Sequence, residues 1–225
     1  MLVKDWMSKP AVTIDAEASI AKAVTLLKRR EINMLPVMVG HRLAGIIAHT
    51  DIQRASAAGV DPLKQDELFE LMSQVKVRSV MTREPISVKP EYTVEETAEI
   101  LLVHRISGVP VVDGEDKVIG VITKSDIFQL ILILVGKGKR GIQFALELEN
   151  QPDRLKEITD LILDYGGRIS SLISSLERAG RGQQRLYFRI CDIDQPSFLR
   201  LTEVIKEKAN LLYIINHDER TRHLF

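Results

Sequence analysis

Two registered copies of one unit lie in this chain, and that duplication limits its fold more than any other feature. Val3, Met7, Ser8, Ile14, Ile20, Leu35, Pro36 and Val37 correspond, 74 positions on, to Val77, Met81, Thr82, Val88, Val94, Val109, Pro110 and Val111. One inserted residue then moves the offset to 75, and the stretch from Gly45 to Ile52 aligns with that from Gly120 to Ile127. Each copy of such a repeat is one structural unit that buries its apolar face against its twin. A pseudo-two-fold pair also leaves two related clefts, which suit small ligands better than they suit chemistry.

Within a copy the pattern reads short strand, helix, strand, strand, helix. In copy one, 12–14 is a β-rich fragment and 20–30 is helical, with Ile20, Val24 and Leu27 at helical spacing. Strands follow at 35–39, entered through Pro36, and at 43–47, and Asp51 begins another helix. Copy two repeats this over 86–134, with a hairpin turn at 113–116. Between the copies, 57–62 breaks the chain and 63–75 reads as an amphipathic helix with Leu68, Leu71 and Met72 on one side. After the glycine- and charge-rich stretch 136–141 the pattern changes to strand 142–149, helix 153–165, strands 168–177 and 185–193, helix 197–209 and strand 211–216. That βαββαβ order is the ferredoxin-like arrangement. The expected fold is therefore α/β (α+β), with repeat one at 1–60, a helical linker at 61–76, repeat two at 77–136 and a separate domain at 142–225.

Lys plus Arg and Asp plus Glu number 31 each, so the chain is neutral and offers no broad attraction for nucleic acid or an anionic membrane. The basic clusters at 137–140 and 181–185 read as solvated loops. With Cys191 as its single cysteine, the chain can form neither an intrachain disulfide nor a cysteine metal cage. The start lacks a signal-peptide core, and the most apolar run, 127–135, is well short of the ~20 residues a spanning helix needs. A cytoplasmic protein is the expectation. His41, His49, His104, His217 and His223 show no metal-binding spacing, and no phosphate loop or nucleophile elbow appears. No catalytic residue, metal or required cofactor is expected.

The chemistry concentrates at the end of copy two. Gly120 removes a side chain where a flat ring could approach the strand. Thr123 and Asp126 fall where strand becomes helix, and a helix N-terminus presents N–H groups and partial positive charge to a phosphate. Asp126 can accept two hydrogen bonds from ribose hydroxyls, and Lys124 can add charge to the phosphate. Together these suit an adenosine nucleotide. The same residues also read as a variant capping box, and Thr123 can serve both purposes. In copy one Ala48 takes the hydroxyl position, while His49, Thr50 and Asp51 remain, so a second cleft there is weaker, differently selective or empty.

A Pro-Val-Val strand at Pro110–Val112 followed by Gly120-Val-Ile-Thr-Lys-Ser-Asp126, with its registered counterpart in copy one, resembles the tandem CBS domain pair. The C-terminal βαββαβ unit looks like an ACT domain, and the whole is similar to acetoin-utilisation (AcuB-type) CBS–ACT proteins. The resemblance implies a regulatory adenine nucleotide (AMP, ADP or ATP), with its ribose on Asp126 and Thr123 nearby. Ser87 and Thr13 resemble hydroxyl residues that flank the base, though each is also an ordinary β-prone residue. His104 and Arg105 end a helix facing the cleft and could reach phosphate or simply serve the macrodipole. Homodimers are implied too, with a dimer interface as the natural use of the apolar helix 127–135, and a regulated partner protein is possible. The alternatives are a structural or adaptor dimer with empty clefts, or a sensor of S-adenosylmethionine, NADH or an amino acid in the ACT unit. At 150–155, however, Asn150 and Asp153 replace the acid and glycine of the amino-acid-binding ACT pattern, so dimerisation is the safer role for that unit.

Overall fold

A computed structural model describes residues 1–56, 65–136 and 141–225, with side chains outside 55–69. The break at 57–62, the side chain of Leu68 and the basic cluster at 137–140 lie outside the described residues. The chain divides into two compact units, Met1–Phe128 and Gln129–Phe225.

In the first unit the helices start and stop where local chemistry directs. Ser19 caps α2 (Ile20–Arg30) by accepting the Lys22 N–H at 3.2 Å, and Ile20, Ala23 and Leu27 are buried on its inner side. The helix ends at Glu31, a left-handed residue (φ 52°, ψ 38°) whose N–H reaches the Leu27 and Lys28 carbonyls. Its twin α5 (Val94–Val103) begins with a complete capping box between Thr93 and Glu96. The Thr93 bonds, backbone first, hold the Glu96 carboxyl below the usual carboxylate range. At the 113–116 turn, Asp113 Oδ1 accepts the N–H groups of Glu115 and Lys117, each at 3.0 Å.

Strands β1 (Ile14–Asp15), β2 (Met34–Val39) and β3 (Arg42–Ala48) belong to copy one, and β4 (Thr82–Arg83) belongs to copy two. All four share one sheet, in the order β1-β2-β3-β4. Pro36 lies inside β2, yet the parallel pairing with β1 begins only at Val37. The matching hairpin of copy two, β5 (Gly108–Val112) with β6 (Val118–Thr123), is joined by bridges Val88↔Val111 and Ser8↔Val121. The opening segment of each copy thus crosses to the sheet of the other.

The aligned glycines explain how. A Cβ on Gly45 would sit 2.6 Å from Met81 Sδ, and one on Gly120 would sit 2.5 Å from Met7 Sδ. Each glycine therefore makes room for the visiting strand rather than for a ring, which corrects the role expected of Gly120.

The remaining helices are α1 (Val3–Trp6), α3 (His49–Ser56), α4 (Gln65–Gln74) and α6 (Lys124–Leu134). In α4, Met72 packs on the copy-one core, whereas Leu71 is exposed. Only Leu130 of α6 is buried, and Phe128, Ile131 and Ile133 stand 64%, 46% and 52% exposed.

The second unit runs β7 (Ile142–Glu149), α7 (Pro152–Asp164), β8 (Arg168–Ser175), β9 (Gln183–Cys191), α8 (Gln195–Lys208), β10 (Asn210–Asn216) and β11 (Thr221–Leu224). Its antiparallel sheet has the order β11-β10-β7-β9-β8. Without β11 this is the ferredoxin-like arrangement. Alternate residues Phe144, Leu146, Leu148, Leu186, Phe188 and Ile190 form one core with Ile158, Ile162, Leu201 and Ile205 of the helices. Gly166, at φ 81°, lets α7 end, its N–H bonding the Leu163 carbonyl. Pro152 opens α7 and Asp153 lies in its first turn, while the capping position, Gln151, makes no side-chain cap. Among the described residues no helix is long and apolar enough to cross a membrane, and no group of His, Cys, Asp and Glu could hold a metal ion.

Candidate functional site

Strand β6 hands over to α6 between Thr123 and Lys124, and a cavity of about 300 Å³ opens at that junction. Asp126 organises it. Its Oδ2 accepts the Thr123 N–H at 2.8 Å and the Thr123 hydroxyl at 2.6 Å, and its Oδ1 accepts the Ser8 hydroxyl at 3.4 Å. The Thr123 hydroxyl oxygen in turn accepts the Asp126 N–H at 3.3 Å. Capping is therefore built, and Asp126 also lines the cavity. The Lys124 N–H is also occupied, bonding the Ser107 carbonyl at 2.9 Å.

Ser107, Val121 and Ser125 of copy two also line the cavity, and its other wall comes from copy one. Pro10, Ala11, Val12, Ile32 and Met34 give an apolar wall, and Ser8, Glu31 and Asn33 give polar groups. Ser87, His104 and Arg105 do not line this cavity. Strand exchange is the reason. The junction of copy two faces the opening segment and helix end of copy one, so Val12 and Glu31 stand where Ser87 and the His104–Arg105 pair were expected. Both His104 and Arg105 are exposed at the end of α5, and Ser87 lies beside Arg42 and Glu84 on another surface. Thr13 is exposed next to Val12 and is absent from the lining.

The equivalent junction of copy one keeps half the network. Asp51 Oδ2 accepts the Ala48 N–H at 2.9 Å, and Ala48 has no hydroxyl to add. The His49 N–H bonds the Asn33 carbonyl at 3.2 Å, mirroring the bond between Lys124 and Ser107. His49 and Thr50 are exposed there. Ser8, Asn33 and Ser107 went unrecognised in the sequence. Only the repeat register pointed to them, and it does not say which copy meets which.

Residues 3–58 and 77–133 match the sequence model of the CBS domain. The chain belongs to the CBS domain family. A CBS domain-containing protein of Dictyostelium discoideum is 31% identical over 133 residues, covering 59% of this chain and 92% of that protein. L-aspartate semialdehyde sulfurtransferase of Methanocaldococcus jannaschii is 35% identical, but the match spans only 23% of that enzyme. Among solved structures, the CBS domain pair of protein MJ0100, in complex with 5′-methylthioadenosine and S-adenosyl-L-methionine, is 34% identical with a TM-score of 0.50. It covers 58% of this chain and 99% of that one. CBSX2 in complex with AMP is 25% identical with a TM-score of 0.51, covering 59% and 97% of the two chains. The Vibrio cholerae structure that carries the AcuB name shares the fold at 24% identity, with a TM-score of 0.51 over 60% of this chain and 93% of that one. The CBS pair is thus the shared part.

Proposed function

We propose that this protein is a regulatory, non-catalytic sensor whose CBS pair binds an adenosine-containing ligand in the cavity beside Asp126. The observation that carries the reading is that cavity, with an apolar wall for a base and a carboxylate poised for a ribose. The 5′-methylthioadenosine, S-adenosyl-L-methionine and AMP bound by the similar CBS structures share the adenosine moiety. Gly120, Lys124, Thr123 and Asp126 stay in the proposed site, with Gly120 acting through the strand it admits. The second unit is proposed as an ACT-like output domain, on the strength of its βαββαβ order.

A thermal-shift screen of the purified chain against adenosine, 5′-methylthioadenosine, S-adenosylmethionine, AMP, ADP and ATP tests this. A ligand at 100 times its dissociation constant should stabilise the chain by about 2.7 kcal/mol. Asp126→Ala should abolish that gain, measured against the variant's own unliganded stability, which falls by about 0.5–2 kcal/mol through the lost cap. A full gain in the variant places the ligand elsewhere.

Two copies of the chain are proposed to pair through α6, whose Phe128, Ile131 and Ile133 present more apolar surface than scattered exposure accounts for. Light scattering should then give twice the 25.4 kDa chain mass, and a monomer at micromolar concentration rejects the pairing.

A further inference from the structure

We infer that the cavity at Asp126 selects adenosine derivatives whose 5′ substituent is uncharged or cationic, and that Glu31 sets this selectivity. The inference rests on the adenosine reading above and concerns only the 5′ end of the ligand. Charged lining residues are Glu31, Lys124 and Asp126, so two carboxylates oppose a single ammonium. A phosphate monoester brings about −1.5 to −2 charges at pH 7. Three of the backbone donors there already have partners: the N–H groups of Thr123, Lys124 and Asp126 bond Asp126, Ser107 and Thr123. This helix end therefore presents fewer open N–H groups to a phosphate than a bare helix N-terminus does.

Glu31 itself is singular. It is held in the left-handed region at φ 52°, a conformation that glycine adopts without strain. Among the described residues its carboxylate has no hydrogen-bond or ion-pair partner. The twin position in copy two, Arg105 at φ 55°, keeps the same backbone and inverts the charge. The backbone therefore does not require an acid there, and the acid's effect falls on what enters the cavity.

Calorimetric titration of the full chain with 5′-methylthioadenosine, S-adenosylmethionine and AMP reads this directly, counting only binding that Asp126→Ala removes. The wild-type chain should prefer 5′-methylthioadenosine to AMP by tenfold or more. Glu31→Gln should move that ratio about tenfold toward AMP, as expected for removing one charge several ångströms from two others. Glu31→Lys should move it further, and S-adenosylmethionine, with its sulfonium cation, should weaken relative to 5′-methylthioadenosine in both variants. A ratio unchanged in both Glu31 variants, or a wild-type preference for AMP, overturns the selectivity while leaving the adenosine site standing. Binding of none of the three overturns the site itself.

Discussion

Phe188→Ala is expected to destabilise the C-terminal unit by about 3–5 kcal/mol, enough to unfold it in much of a population at 37 °C. Phe188 is 1% exposed and faces Phe144 directly across β9 and β7, with ring centroids 5.2 Å apart and planes 16° apart. Such a pair contributes about 0.5–1.5 kcal/mol beyond the area it buries. Truncation removes that contact and leaves a ring-sized void in the cluster formed with Leu146, Ile158, Leu201 and Ile205. Both faces of the void are regular elements, so collapse can relieve little of it. Hydrogen exchange at the amides of Phe144, Leu186 and Ile190 measures the loss without needing a signal from the first unit. Protection reduced by less than the equivalent of 1 kcal/mol means that this core tolerates a hole, and then it is not what holds the unit together.

How far the sequence disclosed this molecule depends on the kind of interaction. Elements set by local chemistry were legible: the helix capped by Ser19, the 113–116 turn and the strand-to-helix step at Thr123 all stand where their residues place them. The βαββαβ order was legible too, because Gly166 and Pro196 mark breaks that nothing distant alters. What escaped was long-range. The pairing of Ser8 with Val121 and of Thr82 with Ile46 depends on where each copy's opening segment lands, and a repeat is equally consistent with either landing. That single ambiguity displaced Ser87, His104 and Arg105 from the site and hid Glu31, Asn33 and Ser8. The last strand, β11, escaped for a different reason. It is a four-residue edge strand of mixed polarity, paired on one side only and so carrying little hydrophobic pattern.

Leu27→Ala and its twin Leu101→Ala should each cost the first unit about 2–5 kcal/mol, and each should lower one shared transition. The two leucines occupy equivalent turns of α2 and α5 and are 0% and 1% exposed. Were the copies separate small domains, each would melt alone, because a unit of this size buries too little apolar surface to be robust. Here β4 of copy two completes the sheet of copy one, and Val77 is counted in the copy-one core. The backbone does the same in reverse, with the Val3 N–H bonding the Tyr92 carbonyl at 2.8 Å. Trp6, the only tryptophan, belongs to α1 beside this copy-two contact and so reports on the half that lacks Leu27. Urea titrations followed by Trp6 fluorescence should show the midpoint fall for Leu27→Ala as well as for Leu101→Ala. A Trp6 transition untouched by Leu27→Ala means that the copies unfold independently. In that case occupancy at Asp126, whose cavity takes its far wall from copy one, has no cooperative body through which to act.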